Sequence, residues 1–291
     1  MSRATGWNLD QVRALILGFL VLPCSVVSFA QDPPANPEPT AKEEPENVLK
    51  ELQVTLIEAV GGREALEKHG NRRMVAKVLI PDAAIEAKHV GFVSRKGTMW
   101  ESMTIEGYGD FQQGFHGDVA WSMDPINGPR VLDGVEKEQL RRSSHLQPLL
   151  WFDKDYVFAS MSGTEKIGDM DCNVYKLKTT MDSEETYWID AKTNFIIQVA
   201  LTVESIMGKI PMRIHMGDYK QLEGIWYPHA LEIQQGIQKI QMSIENLEYD
   251  VEPESAEITV PAPVQTLVDR KKESKEKEQK PEETESKPSG R

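Results

Sequence analysis

From Arg72 onward the chain alternates between apolar and polar positions. In RRMVAKVLI, Met74, Ala76, Val78 and Ile80 fall on one face, and in GTMWESMTIEG Trp100, Ser102 and Thr104 oppose Met99, Met103 and Ile105. A period of two is the mark of strands with one face buried. Similar runs predict strands near 85–94, 108–115, 117–123, 155–160, 163–169, 171–180, 184–190, 195–206, 210–220, 225–236 and 237–250. Pro125, Gly128, Gly134, Gly163, Gly168, Gly208 and Gly224 punctuate the series where tight turns belong, so consecutive antiparallel pairing is expected. Asp190 and Asn194 frame a short hairpin loop, with Asn194 suited to the left-handed position. Trp226-Tyr227-Pro228 opens a late strand at a place where proline removes no interior ladder bond.

Two segments depart from this rhythm. Val48, Leu49, Leu52, Leu56, Ala59 and Val60 recur at three- and four-residue spacing and predict a helix, which Gly61-Gly62 stops; Arg63 to His69 adds a short helical turn. Further on, Asp133-Gly134-Val135-Glu136 has capping-box spacing and opens a helix through Leu140, Arg141 and His145. The apolar cluster Leu146, Leu149, Leu150, Trp151 and Phe152 follows directly. This segment either packs on one face of the sheet as ordinary core or forms a lid over a ligand cavity.

Composition divides the 291 residues further. Residues 1–30 read as a secretory signal: Arg3 and Arg13 precede the apolar run Ala14 to Leu22, and Ser28-Phe29-Ala30 suits cleavage after Ala30. The run is too short for a stable transmembrane anchor. Residues 31–47 form a Pro/Glu-rich linker, expected to be disordered, as is the charged tail 269–291, which holds no apolar residue. Residues 48–268 are left as one domain. Cys24 lies in the signal, where Pro23 disfavours a lipidation motif, and Cys172 then stands alone, so burial of apolar surface must hold the fold.

Charge excludes one class of partner. With +1 in the signal, −4 in the linker and +1 in the tail, the domain carries −11 of the chain's −13. It should repel nucleic acid and anionic headgroups at long range. An enzyme is also disfavoured. His116 and Asp118 in GFHGD, with Asp110 or Asp124 nearby, are the best candidate pair for metal or acid/base chemistry, but they sit in a turn context beside Gly114 and Gly117. His89, His145, His215 and His229 are scattered one per element, and no HExxH, G-x-S-x-G or phosphate-cradling loop occurs. No catalytic residue, metal ligand or cofactor is expected.

The order of elements carries a resemblance. A helix ending Val60-Gly61-Gly62 is followed by Gly114-Phe115-His116-Gly117 running into Ala120-Trp121, then Gly128-Pro129-Arg130, a Gly134-started helix, Tyr187-Trp188-Ile189-Asp190 with Thr193-Asn194, and Asp218-Tyr219 before Gly224-Ile225-Trp226-Tyr227-Pro228. Over residues 48–262 this resembles exported bacterial proteins of the LolA/LolB-like superfamily, the outer-membrane lipoprotein-sorting proteins. The resemblance implies an α+β, mainly β fold: a strongly curved antiparallel sheet forming an incomplete barrel, with an N-terminal helix and a mid-chain helical lid or plug on its concave side. It implies a periplasmic monomer, free or membrane-associated, that holds a lipid or lipoprotein acyl chain. The alternative is an interaction module of the RseB-like kind, binding an envelope protein. Fold alone does not choose between them. The candidate lining is Met99, Met103, Trp100, Trp121 and Met123 on the strands, with Leu146, Leu149, Leu150 and Trp151 on the lid. Twelve methionines would make such a lining adaptable, although strand methionines also serve as plain core.

Overall fold

The computed structural model describes residues 45–205 and 208–279. The signal, most of the linker and the end of the tail lie outside them. Helix α1 (Pro45–Ala59) ends where expected, with Gly61 and Gly62 at φ 127° and 84°. The stop also docks: Trp226 N donates to Val60 O at 2.8 Å, and a Cβ on Gly61 would collide with the Gly224 carbonyl. Only glycine permits that approach of two backbones. A short helix α2 (Arg63–Lys68) follows.

Thirteen strands form one antiparallel, curved and unclosed sheet, as the alternation predicts. They are β1 (Asn71–Ile80), β2 (Ile85–Ser94), β3 (Met99–Ile105), β4 (Gly109–His116), β5 (Val119–Asp124), β6 (Gly128–Leu132), β7 (Tyr156–Ile167), β8 (Met170–Thr179), β9 (Glu184–Asp190), β10 (Ile196–Ser205), β11 (Gly208–Leu222), β12 (Ile225–Gln235) and β13 (Gln238–Tyr249). The order across the sheet is β6-β5-β4-β3-β2-β1-β13-β12-β11-β10-β9-β8-β7. Two meanders, β1–β6 and β7–β13, are therefore joined along a single β1–β13 seam running from Arg72↔Tyr249 to Leu79↔Gln241.

Two of the strands differ from the sequence reading. The runs 155–160 and 163–169 are one strand, β7, because a bulge between Met161 and Gly163 absorbs the break in alternation. Gly128-Pro129-Arg130 is the start of edge strand β6, where Pro129 pairs with Met123 and its missing N–H faces no further strand. Pro228 is placed as expected: it pairs with Tyr219 on β11, beyond the point at which β13 begins to pair with β12 at Ala230.

This order dictates the next element. Strands β6 and β7 lie at opposite edges of the sheet, so the chain between them must cross its open side. The crossing consists of α3 (Gly134–Ser143), a 3-10 turn (Pro148–Trp151) and α4 (Phe152–Asp155). The capping box at its start does not form. Asp133 is the N-cap residue but its side chain instead pairs with Lys271, and Glu136 pairs with Arg130 at 2.9 Å.

The main core lies on the concave face. Leu49, Leu52 and Leu56 of α1 and Phe152 of the crossing pack there with Ala76, Met103, Leu201, Ile214 and their neighbours. A separate layer covers the outer face of β3, β5 and β6. Trp121, fully buried, lies under Val264 and Val268 of helix α6 (Ala262–Gln279), with Trp100, Met123 and Val131 packed around it. Residues 269–279 thus continue a helix where the composition predicted an unstructured tail, because Val264 and Val268, one turn apart, anchor the helix upstream of the charged run. Helix α5 (Ser255–Ile258) precedes it and is held by a bidentate ion pair from Arg73 to Glu257, 2.7 and 2.6 Å.

Candidate functional site

Where the crossing passes over the β7–β13 half of the sheet it leaves a cavity of about 200 Å³. Three walls enclose it. Leu56 comes from α1, Val60 from the turn after it and Leu66 from α2; Met74, Ile196, Ile214, Met216, Ile225 and Leu231 come from the concave strands; Pro148, Leu149 and Phe152 from the crossing. Gln53 of α1 ties two of the walls together, its Nε2 donating to Leu149 O at 2.8 Å.

An aromatic group lines the cavity on its partly exposed side. Tyr219 donates its hydroxyl to Ile196 O at 2.6 Å and stacks on Phe195 with ring centroids 4.4 Å apart; Trp226 lies 5.6 Å from the same phenylalanine. The Arg72 guanidinium sits 4.6 Å from the Tyr227 ring centroid. Asn194, at the left-handed φ of 57° that its loop requires, completes this rim.

The opposite polar group is buried. Arg142 Nη1 donates to Glu185 Oε1 at 2.9 Å, and the same carboxylate accepts from the Tyr156 hydroxyl, which in turn lies 2.8 Å from the Tyr187 hydroxyl. Asp155 accepts from Arg141 Nη2 at 2.8 Å and lies 3.5 Å from His145 Nε2. Burial by itself would raise the Asp155 carboxyl, but the bonds from His145 and Arg141 outweigh it and hold it below the usual value. Burial and the Glu185 charge together push Tyr156 well above the usual phenol value, so it stays a neutral donor. Burial works against the Arg142 charge, yet Tyr156 and Glu185 more than compensate and the guanidinium remains charged. These bonds clamp the crossing to β7 and β9.

Two donors at this end have no hydrogen-bond partner. Gln147, 8% exposed, has an unsatisfied Nε2, and Arg142, 5% exposed, has an unsatisfied Nε, 3.8 Å from Asp155 Oδ2. Both residues line the cavity.

Of the nine residues proposed from sequence as a lining, only Leu149 lines this cavity. Met103 is on the concave face but fully enclosed in the main core, and Met99 packs with Phe115 and Leu140 beneath α3. Trp100, Trp121 and Met123 point the other way, under α6. Leu146 is buried, Leu150 packs with Ile57 and Ile225 beside the cavity, and Trp151 is 42% exposed, stacked on His145 at 4.4 Å. The His116–Asp118 pair does not converge. His116 takes the Trp121 indole N–H on Nδ1 at 3.2 Å and stands 3.1 Å from Glu257 O through Nε2, while Asp118 pairs with Lys137. Burial lowers the His116 pKa, which agrees with a neutral ring bridging two elements. Among the described residues no cluster of His, Cys, Asp or Glu is arranged to hold a metal, and no helix is long and apolar enough to cross a membrane.

No protein-family model matches the chain, and no curated protein matches it in sequence. Solved structures do. A DUF1329 family protein from Desulfovibrio piger superposes with a TM-score of 0.52 at 11% identity, covering 74% of this chain and 97% of that one. A LolA superfamily protein from Nitrosomonas europaea gives 0.50 at 11% identity, covering 72% and 97%. An outer membrane lipoprotein-sorting protein domain from Vibrio parahaemolyticus gives 0.46 at 12% identity, covering 71% and 95%. The chain thus shares the LolA-like fold, as the order of its elements implies.

Proposed function

We propose that the protein is an exported binding protein of the carrier type, which holds an acyl chain in the hollow beneath the crossing. The observation that carries this reading is the cavity itself: apolar side chains from α1, α2, the concave strands and the crossing face one another across open space beside the main core. At about 200 Å³ it is smaller than the roughly 300–1,000 Å³ of ordinary ligand sites. A full chain therefore enters only if a wall shifts, and the crossing, which pairs with no strand, moves once its clamp to β7 and β9 opens. Met74, Met216 and Leu149 give that space an adaptable lining. In this reading the crossing is a plug that doubles as a lid, residues 1–30 direct export to the periplasm, and the protein acts as a monomer.

The test is native mass spectrometry of residues 31–291 purified from an exporting host, with lipid extraction of the same sample. A co-purifying acyl species, or uptake of added monoacylglycerol, that is lost in Met216→Trp supports the carrier. A folded protein that stays free of lipid at every added concentration refutes it.

A further inference from the structure

The geometry points to a ligand that carries an ester or amide carbonyl next to its apolar chain, read by Gln147 and Arg142 at the buried end of the cavity. This rests on the carrier reading and specifies its ligand. Buried donors without partners are rare in folded proteins, because each forfeits the hydrogen bond it made with water. Here two of them, Gln147 Nε2 and Arg142 Nε, belong to residues that line one cavity. Each is more than nine-tenths buried. A bound acceptor offers each the partner it lacks, since neither N–H makes a hydrogen bond within the fold.

Charge decides which acceptor. The two guanidiniums at this end already have carboxylates: Arg142 pairs with Glu185, and Arg141 with Asp155. A fatty-acid carboxylate would bring another negative charge beside Asp155 and Glu185 without a free cation to meet it, and an unmatched buried charge is costly. A carbonyl oxygen accepts from the same donors and adds no charge. A plain hydrocarbon or an ether leaves Gln147 unsatisfied. The cavity is therefore selective for acylated molecules over both fatty acids and alkyl ethers.

The experiment is displacement of the neutral fluorophore N-phenyl-1-naphthylamine from the mature protein. Its competitors are a monoacylglycerol, the alkyl glycerol ether of equal chain length, the free fatty acid of that length, and a synthetic lipopeptide bearing the same ester-linked chain. The expected result is that the ester outcompetes the ether and the fatty acid by about tenfold, roughly the worth of one well-made hydrogen bond. In Gln147→Leu that advantage collapses several-fold while ether binding and thermal stability hold. Preference for the lipopeptide or for the glyceride supports the inference equally and identifies the source of the ester. Equal displacement by ester and ether, or by ester and fatty acid, overturns the inference and leaves the carrier intact. Failure of the fluorophore and all four competitors to bind overturns the carrier reading, and this one with it.

Discussion

Replacing Arg142 by Met should destabilise the protein far more than the loss of an exposed ion pair would. The substitution keeps an unbranched chain in the space but leaves Glu185, 1% exposed, with hydroxyl donors in place of a cation. Removing one partner of a buried pair costs about 3–5 kcal/mol, because the charge left behind has lost both water and its counter-ion. Against a total stability of about 5–15 kcal/mol, that is a large share. For a domain of this size it corresponds to a fall in Tm of about 6–20 °C. The opposite change, Glu185→Gln, should cost less, since the guanidinium keeps Asp155 at 3.8 Å and the face of the Tyr156 ring at 4.9 Å. The double change Arg142→Met with Glu185→Gln should recover most of the loss. Equilibrium urea unfolding of the wild type and three variants completes the cycle. The reasoning fails if Arg142→Met costs less than about 1 kcal/mol, or if Glu185→Gln proves the more damaging change.

Other outcomes follow from other parts of the molecule. Gly114→Ala places a Cβ about 2.7 Å from the Trp121 ring, so overpacking should cost about 1–3 kcal/mol, and Trp121→Phe should relieve part of it in the double variant; denaturant midpoints measure both. Burial raises the Glu101 pKa, with hydrogen bonding to His89 opposing, so the native state binds a proton that the unfolded chain has released. Stability from this group is then present at acid pH and declines as pH rises above the usual carboxylate value, and Glu101→Gln should flatten Tm between pH 4 and pH 8. Truncation after Pro261 removes Val264 and Val268 from Trp121, which should red-shift the tryptophan emission and lower Tm; an unchanged spectrum would deny that α6 covers that face.

Much of the sheet was legible because many of its strands are half-buried and alternate, and in β1 Met74, Ala76, Val78 and Ile80 are buried in turn as the pattern says. The edges were harder. Strand β6 begins Gly-Pro, a turn signature, and only its pairing with β5 reveals it as a strand. The candidate lining shows a more basic limit. Alternation tells which residues share a face, and it grouped Met99 with Met103 correctly, but it does not tell which half of a curved face stays unfilled. Nor does it reveal what covers the other face: Trp100, Trp121 and Met123 looked available because the helix that buries them continues into a run of lysine and glutamate. The cavity's polar end had no local signal. Arg142, Gln147, Asp155, Tyr156, Glu185 and Tyr187 come from three elements, and they meet only because β7 and β9 belong to the same end of the sheet that the crossing reaches.

The β1–β13 seam bears on how the chain survives its own synthesis. Every other pairing in the sheet joins neighbours in sequence and can close as a local hairpin, in microseconds. The seam joins Arg72 to Tyr249, so at ordinary elongation rates the first strand waits about 10–35 s for its partner to be made. Throughout that interval one edge of the first meander is open, and open edges recruit foreign strands. Arg72, Arg73 and Lys77 put three positive charges along that waiting strand. In the finished protein Arg73 holds Glu257 and Lys77 meets Glu86, but before β13 arrives the same charges guard the edge against aggregation.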